Sequence, residues 1–170
     1  LGSGGRFSAA PALSIGTGTT LQLGGNESAG SATIAGTLAG SAATDTLTAP
    51  TTLATGANVL ANLGAADLNV TGAATLAGSS AAALVTVQNG GALRLATAER
   101  LADGARVDVR SGGALALAAA ETIGRLDLAG TLNGPGKLTA GTYALAGGTA
   151  NADLGAGTLR STGPSTLNGH

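Results

Sequence analysis

The chain has no cysteine, methionine or tryptophan, and only one phenylalanine, one tyrosine and one histidine. Without cysteine there are no disulfides, no thiolate metal sites and no cysteine nucleophile. Eight Lys and Arg against nine Asp and Glu leave a formal net charge of -1, so no basic stripe is available to displace counterions from nucleic acid, and there is no aromatic set to stack bases. Nucleic-acid binding is therefore not expected. Gly, Thr or Ser interrupts every apolar stretch long before it could cross a bilayer. No membrane insertion is expected, and the chain reads as soluble or secreted.

Charge is also scarce, at 10 % of residues, which argues against an expanded polar coil. Large side chains that fill a thick core are missing as well. What the 170 residues do contain is small: 30 Gly, 38 Ala and 23 Thr, with Leu, Ile, Val and Phe together making about a fifth. This composition predicts a thin fold with many turns and a narrow interior.

Repetition organises the chain at two scales. The stretch Leu21-Gln22-Leu23 through Ala35-Gly36-Thr37-Leu38-Ala39-Gly40 returns 94 residues later as Leu115-Ala116-Leu117 through Ala129-Gly130-Thr131-Leu132-Asn133-Gly134, with nine of 20 positions identical. Ala61 to Gly78 returns 91 residues later as Ala152 to Gly169, with ten of 18 identical. The offset shrinks because Ser41 to Thr46 is longer than Pro135 to Lys137. Such a length change marks a surface turn.

At the finer scale, Val85-Thr86-Val87-Gln88-Asn89-Gly90-Gly91-Ala92-Leu93-Arg94-Leu95 recurs 22 residues later as Val107-Asp108-Val109-Arg110-Ser111-Gly112-Gly113-Ala114-Leu115-Ala116-Leu117. Each unit reads as a period-2 strand, a two-glycine turn and a second period-2 strand. The alternation turns Val109 inward. Recurrence every 17 to 22 residues predicts an all-β fold, a parallel β-helix or β-solenoid with one coil per step. Stacking at about 4.8 Å per coil makes a rod about 40 Å long. Residues 1–170 form a single solenoid segment of two imperfect copies, about 1–79 and 80–170. Both ends fall inside a copy, so the rod is expected to be open at both and the natural chain to continue. The one competing reading is helical: Ala92 to Ala105 and Ala114 to Glu121 have helical propensity, and Ala96 to Asp103 is expected to form at most a short helical turn.

The cadence of Asn89-Gly90-Gly91-Ala92-Leu93-Arg94-Leu95, Glu99-Arg100-Leu101-Ala102-Asp103-Gly104-Ala105, Leu126-Asp127-Leu128-Ala129-Gly130-Thr131-Leu132-Asn133-Gly134 and Tyr143-Ala144-Leu145-Ala146-Gly147-Gly148-Thr149 resembles the long repeats of filamentous-haemagglutinin-type adhesins. Autotransporter passengers use similar coils. The resemblance covers essentially the whole chain and is one of repeat style; the amino-terminal secretion domain of the family has no counterpart in these residues. It implies a right-handed parallel β-helix on the outer surface of a Gram-negative cell, exported by two-partner secretion and serving as stalk and adhesive surface. The implied partners are an outer-membrane secretion transporter, acting on other parts of the parent chain, and a host receptor, matrix polysaccharide or like rods. Alternatives from other classes are a carbohydrate-binding or carbohydrate-active β-helix and an ice-binding solenoid. Thr17-Gly18-Thr19 and Thr44-Asp45-Thr46 suggest the last, although they do not recur at the 22-residue step.

Charged residues, the candidates for a site, are few, and ten of them lie between Arg94 and Asp127. Arg106, Asp108 and Arg110 alternate with valines and share an outer face, which reads as a solvated ion-pair network. Glu99 and Asp103, four apart, would flank a helical turn as an acid/base pair, but no nucleophile or metal ligand accompanies them. Glu27 and Glu121 are equivalent in the two copies and suggest a structural corner or cap. His170 stands alone. Asn26-Glu27-Ser28 and Asn69-Val70-Thr71 match the glycosylation acceptor pattern. No catalytic, cofactor-binding or metal-ligating residue is assigned, no cofactor is expected, and the chain is not expected to be an enzyme.

Overall fold

Alternation of apolar and small polar residues over three or four positions, broken by Gly-containing turns, repeatedly yields short strands whose inner residues must bury one face. The computed structural model describes residues 5–7 and 9–169 and shows the consequence. Among the described residues, twenty-one strands lie in three sheets, and every pairing is parallel. A first sheet of nine strands runs from Ala12–Ile15 to Thr158–Ser161, and a second of nine from Thr20–Leu23 to Thr166–Leu167. A short third sheet joins Glu27–Ser28, Thr46–Thr48 and Asn62–Leu63. Each coil contributes one strand to each of the two long sheets, which makes the chain a β-solenoid of nine coils.

Paired residues along the first sheet lie between 16 positions apart, as Thr142 and Thr158, and 22 apart, as Leu84 and Arg106. The shortest coil is one residue tighter than the sequence periods suggest. Both two-glycine turns are present, with Gly90 at φ 77° and Gly112 at φ 76°, backbone that only glycine adopts freely. The length difference between the copies does fall in a turn: Ser41 to Thr44 are exposed, closed by Asp45 accepting hydrogen bonds from the Ser41 hydroxyl and the Ala42 amide, each at 2.9 Å.

The interior is one continuous column of Leu, Val, Ile and Ala, with Val85, Val87, Val107 and Val109 all fully buried. One residue departs from the expected small interior. Tyr143 is inside, 1 % exposed, with its hydroxyl accepting from the Ala140 amide at 2.8 Å and donating to the Leu138 carbonyl at 2.9 Å. Room for the ring comes from Gly157, where a Cβ would stand 2.6 Å from the ring's Cε2.

The helical turn expected at Ala96 to Asp103 does not form, and no helix occurs among the described residues. Glu99 instead takes a left-handed conformation at φ 53°, Leu101 is buried, and Leu101 bridges to Ser80 in the neighbouring coil. Alanine's helical propensity is worth only tenths of a kcal/mol per residue, less than the buried leucine and the inter-coil hydrogen bonds that replace it.

Candidate functional site

Inward positions are nearly uniform, so chemical character is concentrated on the outer faces and at a few corners. In register, the outward residue of each coil of the first sheet stacks on the next. In the early coils the ladder reads Ser14, Thr33, Thr52, Asn69 and Thr86; in the later coils it reads Asp108, Asp127, Ala144 and Arg160. Neutral polar side chains thus give way to charge halfway along the rod.

Arg106, Asp108 and Arg110 do point outward, but the ion pairs differ from a network within one strand. Parallel register sets Arg106 beside Arg125 and Asp108 beside Asp127, two like-charge neighbours that are unfavourable when left alone. Pairing across and along the strands relieves this: Asp127 Oδ2 lies 2.6 Å from Arg106 Nε, and its Oδ1 lies 2.6 Å from Arg125 Nη2. Burial pushes the Asp127 carboxyl up, but hydrogen bonds from Arg125 and Arg106 outweigh it and hold the group below the usual carboxylate range. The same hydrogen bond raises the Arg125 guanidinium. Asp108 is bound less tightly, with Arg110 Nε 3.6 Å from its Oδ2, and Arg110 also donates to Gln88 Oε1 at 2.8 Å. The signal that reveals the partner of Arg106 is the recurrence of Arg-x-Asp at Arg125 to Asp127, one coil of 19 residues further on.

Beside these pairs Ala144 interrupts the ladder and opens a groove of about 440 Å³ on the outer face of the first sheet. Ala129, Ala144 and Ala146 give it an apolar part, and Asp108, Asp127, Arg125 and Arg160 a charged one. The Arg160 side chain has neither a hydrogen bond nor an ion pair among the described residues.

Glu27 and Glu121 are corner residues, as their equivalence suggests, and both are buried, at 2 % and 1 % exposure. Glu121 accepts the Arg100 amide at Oε2, 2.9 Å, and the Leu101 amide at Oε1, 2.7 Å. Burial pushes its carboxyl up, an effect only partly countered by those two amides. Glu27 receives the Arg6 amide at 2.8 Å and the Phe7 amide at 3.3 Å, both on Oε2, and its buried Oε1 has no partner among the described residues. Each carboxylate ties down the backbone of the coil before it.

The other candidates are dispersed. Glu99 and Asp103 are exposed, with no helix to align them, and Glu99 accepts a hydrogen bond from the Thr122 hydroxyl at 3.2 Å. Asn26 and Asn69 use their side-chain oxygens internally, toward the Thr46 amide and the Gln88 side chain. Thr17 and Thr44 lie in different turns and do not stack. A ladder the sequence reading did not identify is formed instead by Thr131, Thr149 and Thr166 beside Asn133, Asn151 and Asn168, whose amides are linked at 2.8 Å from coil to coil. Its signal was the Thr-Leu-Asn, Thr-Ala-Asn, Thr-Leu-Asn succession. His170 lies outside the described residues. No group of three or more His, Cys, Asp or Glu is placed to hold a metal among the described residues, and no described helix is long and apolar enough to cross a membrane.

No family model, no curated protein and no solved structure matches the chain.

Proposed function

We propose that the chain is a structural rod segment of a large secreted bacterial surface adhesin, carrying length and outer surface for adhesion, aggregation or biofilm matrix. The observation that supports this reading most is the unbroken stack of nine parallel coils with a narrow, interchangeable interior. Such a column elongates by adding coils, each contacting only its neighbours, and needs neither cysteines nor a preformed core to fold as it emerges from a membrane. The resemblance to filamentous-haemagglutinin-type repeats supports export by two-partner secretion through an outer-membrane transporter of a Gram-negative cell. This reading gives the segment a mechanical role and no reaction to catalyse.

Antibodies against the 170 residues test it on intact cells of the source bacterium. Surface labelling that external protease removes is the expected result; label confined to the cytoplasm overturns the reading. In-frame duplication of the segment lengthens the surface fibre by about 40 Å if the coils stack as a stalk. Turnover of a polysaccharide by the isolated segment would replace the stalk with an enzyme.

A further inference from the structure

The last four strands of the first sheet present a surface unlike the rest of the rod. Arg106, Arg110, Arg125 and Arg160 face outward there with Asp108 and Asp127, a formal surplus of two positive charges on a chain whose total is -1. Half of the eight cationic residues are thus gathered over four coils. Arg106 and Arg125 share Asp127 and Arg110 lies beside Asp108, so Arg160 is the one cation of the four with no ion pair among the described residues. Between Asp127 and Arg160 the ladder holds only Ala144, and that gap is the groove.

We propose that this groove binds a carboxylate-bearing sugar, a uronic acid unit within an extended acidic polysaccharide. Three features select that chemistry together. Arg160, exposed and unpaired among the described residues, offers a planar fork for a carboxylate. Asp108, half-exposed and held only at 3.6 Å by Arg110, keeps oxygen lone pairs free to accept hydrogen bonds from hydroxyls. The methyl groups of Ala129, Ala144 and Ala146 line the groove and give it an apolar floor for the C–H face of a ring. Three coil steps separate Asp108 from Arg160 in the ladder, about 14 Å along the axis, which suits a short run of linked rings lying along the rod better than one ring. Asp108 and Asp127 accept hydrogen bonds, which the hydroxyls of a sugar ring supply and the phosphates of a nucleic acid do not. A neutral sugar leaves Arg160 without a counter-charge.

The binding is independent of the rod's location: a segment that bound the acid sugar but never reached a cell surface would sink the function proposed above and leave the ligand standing. Calorimetric titration of the intact chain with oligogalacturonate, against the same oligomer fully methyl-esterified, tests the proposal. Binding of the acid form that weakens at high salt, with at least tenfold weaker binding of the ester, is expected. Arg160→Ala and Ala144→Leu, which removes the cation and fills the floor respectively, each weaken the acid form about tenfold, while Arg94→Ala on the second sheet leaves it unchanged. Both positions point outward, and circular dichroism checks that the strand signature is retained. No binding, equal affinity for acid and ester, variants that bind like the parent, or tighter binding of a single-stranded oligonucleotide through the same residues overturns the proposal.

Discussion

The corner at Glu27 and the corner at Glu121 are the same device built twice, 94 residues apart. In each, a residue with positive φ, Gly5 at 73° or Glu99 at 53°, precedes an arginine and an apolar residue whose amides are donated to the buried carboxylate one coil later. In each, the amide of that positive-φ residue also reaches the carbonyl just before the glutamate, Asn26 at 2.9 Å and Ala120 at 3.2 Å. The difference lies in the details. Glu121 spreads its two acceptors over two amides, whereas Glu27 takes both on one oxygen; the first corner uses glycine where the second places a side chain in left-handed backbone. The device tolerates change wherever the backbone geometry survives.

The same lesson holds for the long sheets. Inward positions of the early and late coils are almost all Leu, Val, Ile and Ala, with Tyr143 the large exception, while the outward ladder changes from Ser, Thr and Asn to Asp, Ala and Arg. Interior residues are constrained by a space a few side chains wide, and a misfit there is felt by the coils above and below. Outward residues answer only to their ladder neighbours and to solvent.

The largest break in this comparison comes from putting outer chemistry inside. Val109→Asp leaves an unpaired charge in the column and is expected to cost more than about 4 kcal/mol, unfolding the coils on either side. Melting followed by circular dichroism measures it; a variant that melts with the wild type would show that Val109 is not an inner residue under solution conditions.

The two corners separate next. Glu121→Ala strands the Arg100 and Leu101 amides and is expected to cost about 3 kcal/mol by urea unfolding, while Glu27→Ala, whose Arg6–Phe7 partners are more exposed, costs less than half of that. The raised carboxyl of Glu121 also sets a pH dependence. Its neutral form is the better tolerated one in the fold, so its contribution is fully present below the ordinary glutamate range and is lost as pH rises through the elevated value. Wild type minus Glu121→Gln stability should therefore fall as pH increases across that window, and a flat or rising difference would mean that the amides, not burial, dominate the group.

The smallest expected effect tests the positive-φ position. Glu99→Gly converts the second corner to the glycine of the first, relieves left-handed strain and removes a like charge near Glu121. A gain of up to about 1 kcal/mol is expected. A loss of stability would assign the exposed hydrogen bond between Glu99 and Thr122 more weight than its geometry suggests.

Much of this architecture was legible along the chain. Strand alternation, glycine turns and the two offsets are local or periodic quantities, and a narrow solenoid needs little beyond them: each coil repeats the same decision, so Val109 could be turned inward and Glu27 matched to Glu121 by alignment. Three-dimensional register decided the rest. Which acid meets Arg106 depends on the residue one coil away, and coils vary between 16 and 22 residues, so the ladder of Asp108, Asp127, Ala144 and Arg160 emerges only when they are stacked. Ala96 to Asp103 went the other way, because weak helical propensity yielded to a buried Leu101 and to amides captured by Glu121. Composition and period determined that this chain is a thin column; only stacking decided where along the column charge collects, because the neighbours that matter there are adjacent in space and a full coil apart in sequence.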